Sequence, residues 1–121
     1  MFSAVRTLLI SFLLASCANS PNSMSQVVVV ETIVPIMDAH EIERLVTAPL
    51  ERAINVLVGV TEIRSRTTPG SSRIEVLYAS NPSQQELKQV ESAVLAEWAK
   101  FGQLASKPMV AINSRTLHED A

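Results

Sequence analysis

The stretch that most constrains this sequence is a pair of alternating segments, Thr61–Thr67 and Ser72–Ala79, on either side of Pro69-Gly70. Proline presets φ at the first central position of a type II turn, and glycine supplies the positive φ required at the second, so the pair predicts a hairpin. Folding the segments about that turn sets Ile63 opposite Val76, Ser65 opposite Ile74 and Thr61 opposite Tyr78. The other face then carries Arg64 opposite Glu75, which attracts, and Arg66 opposite Arg73, which repels. One face is mostly apolar and the other charged. A one-residue slip would exchange them, so the register is well specified.

The flanking sequence supplies the remaining elements. Gln26–Val34 is dominated by β-branched residues and predicts a buried strand that Pro35 stops. Asp38 lies three residues before Glu41, the spacing of a capping box, and opens a helix. Its apolar stripe runs through Ile42, Leu45, Val46, Leu50, Ala53, Ile54 and Leu57. Pro49 falls inside the stripe and cannot donate to the Leu45 carbonyl, so the helix should kink or restart there before Gly59 ends the segment. Ser83 and Glu86 form a second capping box ahead of Leu87, Val90, Val94, Trp98 and Phe101, with Gly102 closing that helix. A last short strand, Met109–Asn113, follows Pro108.

The order is β-α-β-β-α-β, an α+β ferredoxin-like arrangement with both helices on one face of an antiparallel sheet. The other face is left for solvent or a partner. Both alternating sets of the first strand contain valine, so that face is not plainly solvated; a central strand with cross-strand neighbours explains this without a partner.

The N-terminus is of another kind. Arg6 precedes the apolar run Leu8–Leu14, then small residues and Cys17, the sole cysteine. This is the layout of a secretory signal peptide, and the run is shorter than the roughly 20 apolar residues a spanning helix needs. Leu14-Ala15-Ser16-Cys17 resembles the bacterial lipoprotein signal, which implies cleavage before Cys17 and acylation of its thiol. Several acyl chains on one residue hold a protein stably where one is marginal. Ala18 after the cysteine, by the same resemblance, implies release to the outer membrane. The expected organisation is a signal peptide over 1–16, a flexible Asn/Ser/Pro-rich tether over 17–26, a domain over 27–113 and a disordered polar tail over 114–121.

Two stretches carry a family resemblance. They are Glu43-Arg-Leu-Val-Thr-Ala-Pro-Leu-Glu-Arg-Ala-Ile54 and Gly59-Val-Thr-Glu-Ile-Arg-Ser-Arg-Thr-Thr-Pro-Gly-Ser-Ser-Arg-Ile-Glu-Val76. They resemble the first porter subdomain of bacterial RND (resistance-nodulation-division) efflux pumps over about Val27 to Phe101. The resemblance implies a β-α-β-β-α-β fold in the periplasm. It also implies a departure: the pumps have a glycine-containing turn before the first helix, whereas Pro35-Ile36-Met37-Asp38 keeps the proline without the glycine.

Composition and motifs exclude several classes of function. A net charge of −2 gives no basic footprint, so nucleic acid is not an expected partner. A single cysteine allows no disulfide framework and no CxxC. No Gly-x-Ser-x-Gly, phosphate loop or HExxH is present, and no nucleophile–base pair stands out, so no enzyme activity, cofactor or metal is expected. Asp38, His40 and Glu41 lie close together, but helix capping accounts for Asp38 and Glu41. Met24, Met37 and Met109 are soft donors that more often fill gaps than bind metal. Arg64, Arg66 and Arg73 make the hairpin's basic patch, a candidate surface for an acidic partner.

The expected function is therefore that of a non-catalytic, lipid-anchored, periplasm-facing interaction module associated with RND efflux pump components. The membrane would be contacted through lipidated Cys17. The alternatives are a periplasmic metal or small-ligand carrier, which Met37 and His40 variants would test, and a non-functional relic of an RND permease.

Overall fold

The computed structural model describes residues 25–114; the expected signal peptide over 1–16, Cys17, all but the end of the expected tether over 17–26, and all of the expected tail beyond Ser114 lie outside them. The β-branched run forms β1 (Gln26–Ile33). Asp38 caps the helical segment that follows: its Oδ1 accepts the Glu41 backbone N–H at 2.9 Å. The Glu41 carboxylate bonds Arg44 at 2.9 Å, so it is the Asp38 half of the expected box that this structure shows.

The helix then does something the periodicity did not reveal. One α-helical turn, α1 (Ala39–Ile42), passes into a π-helical turn over Glu43–Thr47 and continues as α2 (Ala48–Asn55). In the π turn the Ala48 N–H reaches the Glu43 carbonyl, five residues back. Pro49 then falls in the first turn of α2, where its missing N–H and fixed φ are tolerated. The expected restart takes place without a break in the helix.

The hairpin consists of β2 (Val60–Thr68) and β3 (Ser71–Tyr78), joined by Pro69-Gly70 with Gly70 at φ 89°. Ile63, Arg64, Ser65 and Arg66 pair with Val76, Glu75, Ile74 and Arg73, as the alternation requires. The expected Thr61–Tyr78 pair does not form. A bulge lies between Val60 and Glu62, so Tyr78 faces Val60 instead. The shift brings Val60 with Tyr78 against the core, and the Thr61 hydroxyl donates to the Leu77 carbonyl at 3.0 Å.

Ser83 and Glu86 complete a reciprocal capping box at the start of α3 (Gln84–Trp98), which tightens into a 3₁₀ turn over Ala99–Phe101 and ends at Gly102. β4 (Met109–Ser114) closes the chain order. The four strands form one antiparallel sheet in the order β2-β3-β1-β4, the α+β β-α-β-β-α-β arrangement expected. The β1–β4 ladder runs from Gln26 opposite Ser114 to Glu31 opposite Met109, one residue beyond the 27–113 bounds at each end.

The core lies between sheet and helices. Val28, Val30, Ile74 and Val76 meet Ile42, Val46, Leu50, Ile54, Val90 and Val94, all fully buried. Each such side chain contributes about 1.5–3 kcal/mol relative to an exposed one. Before α1, Pro35 is followed by Ile36 at φ 56°, with its side chain entirely exposed. Among the described residues, no helix is long and apolar enough to cross a membrane.

Candidate functional site

The three arginines singled out above reach one face of the sheet, the one away from the helices. Alternation places them there: Val28, Val30, Ile74 and Val76 point to the helices, so Val27, Val29, Arg73, Glu75 and Leu77 point the other way. At one end of that face Val27, Val29 and Leu77 form a second buried apolar cluster. Beside it lie the charged residues Glu31, Glu62, Arg64, Arg66, Arg73 and Glu75, and on the β4 flank the uncharged Met109, Ala111 and Asn113.

The charges are interleaved rather than uniformly basic. The Arg64 Nε bonds Glu62 Oε2 at 2.9 Å along its own strand, although Glu75 is its cross-strand partner. Arg73 bonds Glu31 at 2.8 Å, and its other terminal nitrogen lies 3.8 Å from Glu75 Oε2. Glu75 itself is fully buried, and a buried carboxylate held beside a guanidinium is costly to strip of that neighbour. The surface therefore presents a mixed-sign ladder.

A polar network on the helix side had no counterpart in the sequence reading. Thr47, on the π turn, is fully buried; its hydroxyl lies 2.9 Å from Thr67 Oγ1 and donates to Ser72 Oγ at 2.8 Å. Thr67 in turn donates to Glu43 Oε1 at 2.8 Å. Thr32, directly opposite Ser72 in the β1–β3 ladder, has a buried hydroxyl with no hydrogen-bond partner among the described residues. These hydroxyls tie the π turn to the hairpin. The available signal was a polar residue, Thr47, inside an apolar stripe, but a threonine there also fits simple β-branched filling.

The other candidates stay apart. Asp38 and Glu41 are occupied at the helix start, and His40 is exposed. Met37 packs against the core and Met109 is exposed on β4, while Met24 lies outside the described residues. Among the described residues, no three or more His, Cys, Asp or Glu side chains gather closely enough to hold a metal ion.

An open groove of about 600 Å³ runs between Val56–Val58 and the Gln85, Gln89 and Ala93 side of α3. Nearby, Gly59 has φ 94°, and a β-carbon there would stand 3.2 Å from Glu86 Oε2 and 3.5 Å from the Tyr78 ring. Burial, with a smaller contribution from the Glu86 charge, raises the Tyr78 hydroxyl above the usual tyrosine range.

Comparison with known proteins places this domain. The model of the AcrB/AcrD/AcrF family matches residues 7–110. The chain belongs to this family of RND transporters. The match is longer than the Val27–Phe101 resemblance and takes in the whole apolar run Leu8–Leu14. The nickel and cobalt resistance protein CnrA of Cupriavidus metallidurans is 32% identical over 78 residues, 64% of this chain and 7% of that protein. The nickel-cobalt-cadmium resistance protein NccA of Alcaligenes xylosoxydans xylosoxydans is 31% identical over the same shares.

Crystal structures of a heavy metal efflux pump share the fold. One crystal form superposes with a TM-score of 0.62 at 20% identity, covering 89% of this chain and 12% of the pump chain. A second gives 0.56 at 18%, covering 87% and 11%. The RND family member thus spans about one-fourteenth of the length of its curated relatives.

Proposed function

We propose that this domain is a non-catalytic interaction module of an RND efflux assembly of the heavy-metal class, facing the periplasm and held at the membrane by lipid on Cys17. The observation that carries the reading is the family match across residues 7–110, on a folded domain of porter type. The names of the two resistance proteins supply the metal class. The mixed-sign sheet face of Arg64, Arg66 and Arg73 with Glu31, Glu62 and Glu75 is the surface offered to a pump component. Alternating charges select a register and penalise a mismatched partner more than they add affinity. The lipid would confine the domain to two dimensions beside its partner and raise their effective concentration.

Gentle solubilisation of native membranes, with capture through a C-terminal tag, tests the reading. Recovery of an RND permease, adaptor or outer-membrane channel, lost on Cys17→Ser, is the expected result. A cleanly recovered chain with no transport component, in either form, overturns it.

A further inference from the structure

The two edges of the sheet differ in how they resist strand addition. The β2 edge carries Glu62, Arg64 and Arg66 and is bent by the bulge at Thr61, devices that keep a second strand away. The β4 edge has none of these. Met109–Ser114 contains no charged residue, proline or bulge, and among the described residues no strand lies outside it. Both outer strands carry an unpaired row of backbone donors and acceptors among the described residues, and the row on β4 is the one that no charge or bulge guards.

We infer that the outer edge of β4 pairs antiparallel with the same edge of a second copy of this chain. The side-chain pattern is self-complementary in one register. With Ala111 opposite its counterpart across a two-fold axis, Val110 faces Ile112 of the other copy and Met109 faces Asn113. Val110 and Ile112 already pack on the helix side, so the new pairs prolong the core across the axis. The small, exposed side chain of Ala111 leaves the axis uncrowded.

A register shifted by two residues, the smallest shift that keeps side-chain facing in step across the axis, sets Val110 against Ser114 or Ile112 against Pro108 and so breaks one of the apolar pairs. Helix α3 adds to the favoured register. Leu95 is half-buried, belongs to neither core cluster, and projects from the flank of α3 opposite Ala93, the side away from α2. The result is a continuous eight-stranded sheet with four-strand halves and all helices on one face. This assembly is independent of attachment to a transporter.

The test uses the full chain in detergent, with Cys17→Ser so that an introduced thiol is unique. Mild oxidation of Ala111→Cys is expected to give about tenfold more cross-linked dimer than Ser65→Cys on the β2 edge, because apposed thiols react at a high effective concentration. Ala111→Lys, an exposed change that places like charges together at the axis, is expected to sediment as a monomer with an unchanged far-ultraviolet spectrum. Equal cross-linking from the two edges, or a monomeric parent protein at all concentrations, overturns the inference. So does an Ala111→Lys chain that sediments like its parent.

Discussion

Two turns of this domain have the same design and different residues. Pro69-Gly70 closes the hairpin and Pro35-Ile36 leads from β1 into α1; in each, proline is followed by a residue at positive φ. The turns also touch. The Val34 N–H donates to the Gly70 carbonyl at 2.8 Å, and the Gly70 N–H donates to the Met37 carbonyl at 3.1 Å. At Gly70 the conformation is free of side-chain strain. At Ile36 a β-branched residue is forced into it, which costs on the order of 1–3 kcal/mol. The comparison teaches that the surrounding hydrogen bonds and core, not the local residue, decide the backbone at position 36.

The most severe way to break the comparison is to give the hairpin the other turn's residue. Gly70→Ile should cost roughly 2 kcal/mol, and a β-carbon at Gly70 meets nothing within 4 Å among the described residues, so the loss is one of backbone strain. Urea unfolding would show a lower midpoint at unchanged slope. The converse change, Ile36→Gly, should stabilise by about 1 kcal/mol: relief of strain outweighs the added freedom of the unfolded chain, and no contact is lost from a fully exposed side chain.

Because the turns share hydrogen bonds, the double variant should depart from additivity by about 0.5 kcal/mol, measurable as a double-mutant cycle. The prolines should be nearly equivalent. Pro35→Ala and Pro69→Ala each should lose about 0.4–1 kcal/mol through the unfolded state, and a marked inequality would show that only one of the turns is set by its proline.

The smallest effect is a control on pH. The raised pKa of Tyr78 means that the folded state holds this proton more tightly than the unfolded chain. Its contribution is complete below the ordinary tyrosine pKa near 10 and is lost as pH rises through the higher folded value. Thermal melts between pH 8 and 11 should fall at the alkaline end for the parent and both turn variants alike, and less for Tyr78→Phe.

What could be read in the sequence follows the same divide. Gly70 announces its turn because glycine alone is comfortable there, whereas isoleucine at 36 has an extended propensity that hides the positive φ. The missing glycine could be noticed, but not the strain that replaced it. The hairpin register was legible from the alternation about Ile63 and Ile74. The bulge was not, since moving Tyr78 from Thr61 to Val60 is decided by packing against helices that the strand sequence does not contain.

The convergence of Arg64, Arg66 and Arg73 also followed from period-two alternation. Their partners did not: Glu62, Glu75 and Glu31 all lie within reach of that face, and side-chain direction chooses among them. The Thr47 network stayed hidden because it joins residues 20 and 25 positions apart through a π turn.

The sheet order sets a schedule for synthesis. β1 emerges first, yet it lies between β3 and β4, so Val28 must wait for Val76 on one side and for Ile112, near the end of the chain, on the other. Pairings so remote in sequence make folding slow, since the intervening loop must close before either contact forms. Throughout that interval Val27–Val30, the stickiest run of the domain, is without its final neighbours. A nascent or exported chain is therefore most prone to aggregate just before its last six-residue strand arrives.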